Sequence, residues 1–166
     1  MLKLAEGVLS FFDFGAVLES LKRYREQGLE MDLKEFLKTL LLGKGYENIT
    51  PVQLSEKMIL NPSSFTLIDL REKKSFVQNA IEGAISDPFD DLLRGLFVED
   101  KYSKKRNQEI ILICDTGQKS RVAASMMADE GFQKAISVKG GMRRWLRWQR
   151  LSSTCAHYCH LKLRMS

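Results

Sequence analysis

The sequence predicts an α/β fold built on an open, mostly parallel sheet flanked by helices, with an N-terminal helical hairpin in front of it. Two observations carry this. From about residue 50 onward, short apolar runs alternate with stretches of helical periodicity. The runs Phe65-Thr66-Leu67-Ile68-Asp69-Leu70 and Ile110-Ile111-Leu112-Ile113-Cys114 are close to continuously apolar, as strands buried on both faces of a parallel sheet require.

Taken in order, residues 1–47 read as two helices. Phe14, Val17, Leu18, Leu21 and Tyr24 form one stripe, and Leu33, Phe36, Leu37, Leu40 and Leu41 form another. Gly28 separates them, Asp13 and Asp32 cap their starts, and Gly43 and Gly45 end the second. Thr50-Pro51-Val52-Gln53 is a capping box with proline at the first helical position, opening a helix that runs to about Leu60. Asn61-Pro62-Ser63-Ser64 is a turn before the strand Phe65–Leu70. A helix over Glu72–Gln78, a short strand Ala84–Ser86, a helix Pro88–Leu96 and the strand Ile110–Cys114 follow. Ser120 is expected to cap the next helix, which Gly131 stops; a strand Ala135–Val138 and a helix Gly141–Leu151 complete the domain. The domains expected are thus 1–47, 48–151, and a basic, flexible tail over 152–166.

At 166 residues and 44% hydrophobic content, the chain can bury one good core with an accessory element beside it. No apolar stretch approaches the about 18 residues that a membrane span needs, and the start lacks the marks of a secretory signal. Three cysteines, Cys114, Cys155 and Cys159, do not make a disulfide framework, so a reducing, cytoplasmic setting is expected. The compact Cys155–His160 cluster lacks the separated ligand pairs of a zinc site; no metal and no cofactor are expected.

The charge is unevenly placed. Residues 1–130 hold 18 basic and 21 acidic side chains, whereas residues 131–166 hold eight basic and none acidic. That basic C-terminal face suits an acidic protein partner more than nucleic acid.

In an open α/β sheet the ligand crevice lies beyond the carboxyl ends of the strands. Three turns therefore meet there: Asp69–Glu72, the loop after Cys114, and Lys139–Arg144. A cysteine at the end of a buried strand, followed by a loop and a helix start, faces amides that stabilise its thiolate. That is the setting of a nucleophile.

With these turns read together, the chain resembles the rhodanese-like sulfurtransferase family, whose fold is shared by some dual-specificity phosphatases. Leu67–Glu72 resembles the family's strand ending in D-x-R, and Ala80–Leu92 its H-I-P-G-A segment, with Ala80 and Glu82 standing where the family often has histidine and proline. Cys114–Ser120 is similar to its active loop, and Val138–Trp145 to its closing G-G-x-x-x-W turn. The resemblance covers about residues 48–151 and implies that Cys114 accepts a sulfane sulfur from a small donor such as thiosulfate and passes it to a thiol acceptor. It implies an anion-binding loop of Asp115, Thr116, Gly117, Gln118, Lys119 and Ser120, edged by Asp69, Arg71, Arg143 and Arg144.

The six residues Cys114–Lys119 fit the sulfurtransferase loop; a phosphatase loop would place arginine at position 120, where this chain has serine, and Arg121 comes one residue late. Acidic Asp115 stands where the family often has a base and would repel an anionic donor; Lys119 and the neighbouring arginines would offset it. The alternative function is a non-catalytic interaction module built on the same fold. Trp145 and Trp148 are expected to pack rather than to bind.

Overall fold

The computed structural model describes residues 45–97 and 101–164, with side chains to Ser153. The expected N-terminal hairpin, Cys155 and Cys159 lie outside the described residues and side chains. Within the unit Lys44–Ser166, the elements run β1 (Glu47–Ile49), α1 (Pro51–Leu60), β2 (Phe65–Asp69), α2 (Lys73–Gln78), β3 (Ile85–Ser86) and α3 (Phe89–Phe97). A short turn of 3₁₀ helix, Ser103–Lys105, precedes β4 (Glu109–Ile113), α4 (Gln118–Asp129), β5 (Ala135–Val138) and α5 (Gly141–Arg164).

The five strands form one sheet in the order β1-β5-β4-β2-β3, each neighbouring pair parallel. Register aligns the carboxyl ends: Asp69 stands opposite both Ile113 and Ser86, and Ile49 opposite Val138. The strand-to-helix turns therefore open on one edge.

Helices cover both faces, with α1 packed on α5 and α3 on α4. Alternation along the strands decides which side chain meets which layer. Ile111, Ile113, Ile136 and Val138 join Leu54, Met142 and Trp145 in one buried cluster. Ile110, Leu112 and Ser137 point the other way, toward α4. The helix α1 begins as the sequence predicts: Thr50 Oγ1 accepts from the Gln53 amide at 3.3 Å, and Gln53 Oε1 accepts from the Thr50 amide at 2.8 Å.

Three expectations need correction. Glu47 belongs to the sheet, so the domain begins before residue 48; β1 escapes a pattern reading because only Ile49 of its three residues is buried. The last helix does not stop at Leu151. It continues to Arg164, so residues 152–164 prolong the helix, and no glycine or proline intervenes to end it. Finally, α4 begins at Gln118 rather than after Ser120, with Gly117 as its cap. No helix among the described residues is long and apolar enough to cross a membrane.

Candidate active site

Cys114 follows directly on β4 and is only 3% exposed. Its Sγ accepts hydrogen bonds from the Gly117 amide at 3.1 Å and the Ser120 amide at 3.4 Å. The thiol also approaches Ser120 Oγ at 3.6 Å, as a donor to it. Two main-chain donors and one hydroxyl thus surround the sulfur, an arrangement that stabilises negative charge there.

Ser120 has a different role from the predicted one. Gly117, at φ +88°, occupies the cap position, which lets the chain turn into α4 early and brings Ser120 round beneath the sulfur on the helix's first turn. Both its amide and its hydroxyl are then spent on Cys114. Behind it, Ser120 Oγ lies 2.9 Å from Ser137 Oγ on β5, and both serines are fully buried. Ser137 is the site residue that sequence reasoning missed. Its signal is a lone serine inside the apolar run Ala135-Ile136-Ser137-Val138, at a position whose side chain faces α4.

The loop is clamped from the α5 side. The amides of Met142 and Arg143, in the first turn of α5, donate to the carbonyls of Cys114 at 2.8 Å and Asp115 at 3.1 Å. Helix-start amides that lack intrahelical partners are satisfied by the loop they hold. This explains the paired glycines. A Cβ on Gly141 would stand 2.2 Å from the Cys114 carbonyl oxygen, and one on Gly117 would stand 2.8 Å from the Gly140 amide nitrogen.

The remaining predicted residues separate into three groups. Asp115 is exposed and ion-paired with the exposed Arg143 at 3.2 Å, so Arg143 spends charge on Asp115. Arg144 is exposed, its stem against Gly140. Lys119 is half-buried, with Nζ 5.6 Å from the centre of the Phe89 ring. Thr116 and Gln118 line a cleft of about 350 Å³ on the loop's flank, shared with Tyr46, Asn48, Arg121 and Lys139. Asp69 and Arg71 bond each other: Nη2 reaches Oδ2 at 2.7 Å, and Nε reaches both carboxylate oxygens at 3.0 Å. Arg71 also donates to the Asn79 carbonyl, so the pair braces the turn from β2 into α2. Among the described residues no cluster suited to a metal ion occurs.

A fully parallel five-stranded sheet with a cysteine loop clamped at its carboxyl edge defines the class, and the comparisons agree. The model of the rhodanese-like domain family matches residues 50–147, and the chain belongs to that family. Among curated relatives, it is 34% identical over 83 residues to YrkF of Bacillus subtilis, whose name marks it as a candidate sulfur carrier; the match covers 49% of this chain and 42% of YrkF. It is 29% identical to the adenylyltransferase and sulfurtransferase UBA4 of Meyerozyma guilliermondii, covering 50% of this chain and 20% of UBA4. The chain thus spans well under two thirds of these two relatives. It is 30% identical to the thiosulfate sulfurtransferase GlpE of Glaesserella parasuis, covering 61% of this chain and 88% of GlpE.

Two solved structures share the fold. One is a Rhodopseudomonas palustris protein of unknown function, described as a possible tyrosine phosphatase, at TM-score 0.60 and 17% identity over 73% of this chain and 96% of that one. The other is a rhodanese-like domain from Anabaena sp., at TM-score 0.52 and 20% identity over 60% of this chain and 73% of that one.

Proposed function

We propose that this protein is a sulfurtransferase that carries sulfane sulfur on Cys114. Family membership and the relatives named for sulfur transfer support sulfur transfer in general. The observation that carries the assignment to Cys114 is its Sγ, held against the amides of Gly117 and Ser120 at the carboxyl edge of the sheet.

The chemistry has two displacements. Cys114 thiolate attacks the outer sulfur of a donor; with thiosulfate, the S–S bond breaks and sulfite leaves with the electron pair. An acceptor thiolate then attacks the outer sulfur of the Cys114 persulfide. That S–S bond breaks, its electron pair returns to Cys114 as thiolate, and the acceptor departs as a persulfide. Both steps move negative charge about Sγ, and Gly117, Ser120 and the Ser120 hydroxyl are the groups that stabilise it. No step requires a metal or cofactor.

The Asp115–Arg143 pair bears on the donor. A carboxylate beside the sulfur disfavours a dianion such as thiosulfate, and its arginine partner is partly neutralised. A persulfide donor with less charge fits better than thiosulfate itself. A phosphatase reading lacks its arginine: Arg121 directs Nε to the Tyr46 hydroxyl at 3.2 Å. The spread cysteines suit a reducing, cytoplasmic setting.

Intact-mass measurement of the reduced protein after incubation with thiosulfate, 3-mercaptopyruvate or glutathione persulfide tests this. One added sulfur atom, absent in Cys114→Ser, is expected, most completely with the persulfide. No addition from any donor to a folded protein with a titratable Cys114 would turn the reading to an interaction module.

A further inference from the structure

The sulfur of Cys114 has two kinds of neighbour. The amides of Gly117 and Ser120 are fixed donors, aimed at Sγ whatever its charge. The Ser120 hydroxyl, 3.6 Å away, is the sulfur's one hydrogen-bond partner among the described residues that can both give and take a proton bond. Behind it stands a second hydroxyl. Ser137 Oγ lies 2.9 Å from Ser120 Oγ, and either oxygen can be the donor. Both serines are fully buried, and among the described residues the Ser137 hydroxyl has no other partner. The rest of its strand is apolar, so the row that starts at the sulfur ends at Ser137.

In the thiol form this row holds three protons, on Sγ, Ser120 and Ser137, and two hydroxyl oxygens to accept them. In the thiolate it holds two protons, and the sulfur has become an acceptor. Turning two O–H bonds accommodates the change without moving a heavy atom. With the thiol, Sγ–H points to Ser120 and the Ser120 proton to Ser137. With the thiolate, Ser137 donates to Ser120 and Ser120 donates to the sulfur. A hydroxyl that accepts a hydrogen bond is a stronger donor in turn, and the gain is larger when its own acceptor is charged.

We infer that Ser120 and Ser137 form a reversible donor row, and that Ser137 is a positioning residue that favours the Cys114 thiolate by holding the Ser120 hydroxyl toward the sulfur. The thiol proton itself goes to a solvent base, hydroxide becoming water; it does not travel along a row that ends in an apolar strand. The same alignment serves discharge. Sγ of the persulfide carries no proton, so the Ser120 hydroxyl already points at it when an acceptor thiolate attacks the outer sulfur. The S–S bond breaks, Sγ takes the electron pair, and the charge arrives at a donor that needs no reorientation. This use in discharge rests on the sulfur-transfer reading.

The test is a double-mutant cycle of Ser137→Ala and Ser120→Ala. It is read by iodoacetamide alkylation of Cys114 across pH and by single-turnover discharge to dithiothreitol after loading from glutathione persulfide. Ser137→Ala is expected to slow alkylation about fivefold near neutral pH and to leave it unchanged at alkaline pH, where the thiol is ionised in every variant. Discharge is expected to slow about fivefold as well, because a less stabilised thiolate is a poorer leaving group. In the Ser120→Ala background the same substitution is expected to change neither rate, since the hydroxyl through which Ser137 acts is gone. A deficit that persists at alkaline pH would make the role of Ser137 merely structural and overturn the inference. So would an equal deficit with and without the Ser120 hydroxyl, or no deficit near neutral pH. If Cys114 takes no sulfur, the discharge arm falls with the sulfur-transfer reading, and the alkylation cycle still decides whether the serine pair acts on Cys114.

Discussion

Three neighbouring strands end on the same edge of the sheet, and the chain treats the ends in two ways. At the ends of β2 and β3 stand aspartates, each with a cation built in. Buried Asp69 is paired with Arg71, while buried Asp87 accepts from Lys101 Nζ at 3.0 Å and from the Tyr102 hydroxyl. After β4 stands Cys114, and the bonds it receives come from the Gly117 and Ser120 amides, while its thiol donates to the Ser120 hydroxyl oxygen. Both side chains of the Asp69–Arg71 pair are buried, so losing one would leave the other a buried charge without compensation. Amides and hydroxyls carry no net charge and tolerate a group whose charge changes, as the proposed persulfide cycle requires. The aspartate ends serve stability, and the cysteine end is left able to change.

The sharpest way to break this contrast is to disturb the clamp. Gly141→Ala places a methyl against the Cys114 carbonyl, at a residue with φ +56°. A loss of about 4 kcal/mol in denaturant unfolding is expected from overpacking and backbone strain together, with altered Cys114 alkylation in whatever folds. Arg71→Met, which strips the cation from Asp69, is expected to cost about 3 kcal/mol in the same assay and to leave the rate of Cys114 alkylation in the folded protein nearly unchanged. Equal damage to alkylation would show that the β2 turn shares the site's work.

Ser137→Ala should do the opposite. Its melting temperature is expected to shift little, while iodoacetamide alkylation of Cys114 near neutral pH slows several-fold, an effect of about 1 kcal/mol from removing the hydroxyl behind Ser120. The smallest effect belongs to the β3 end. Burial first, then the hydrogen bond to Asp87, holds the Tyr102 phenol well above its ordinary value. Folded Tyr102 therefore keeps its proton where an unfolded tyrosine loses it. Its contribution to stability is complete below about pH 10 and declines as pH rises beyond it. Tyr102→Phe is expected to cost about 1 kcal/mol at neutral pH and to flatten the alkaline fall in the urea midpoint above about pH 10.

Legibility in the sequence follows the same divide. Elements whose local chemistry settles them were readable: the capping box places α1, and continuous apolar runs place β2 and β4. The cysteine at the end of β4 was readable for the same reason. What could not be read depends on contacts between distant segments. β1 owes its existence to pairing with β5, and a three-residue strand with one buried side chain has no periodicity to detect. Ser137 matters because register brings β5 alongside β4, and serine in an apolar strand has no fixed meaning until that partner is known. The cap was misplaced by three residues because a serine before an apolar run is a good cap on its own, whereas here Gly117 takes the turn. Arg143 was expected to serve an incoming anion; whether an arginine meets substrate or a nearby carboxylate is decided by side-chain geometry that spacing does not encode.

The clamp also makes the site observable without any substrate. The hydrogens on the Met142 and Arg143 nitrogens are held by the Cys114 and Asp115 carbonyls, so they exchange with solvent only when loop and helix part. Those two amides are a gauge of how often the loop opens. Their deuterium uptake, read residue by residue, would register whether sulfur loading tightens or loosens the seat of the cysteine.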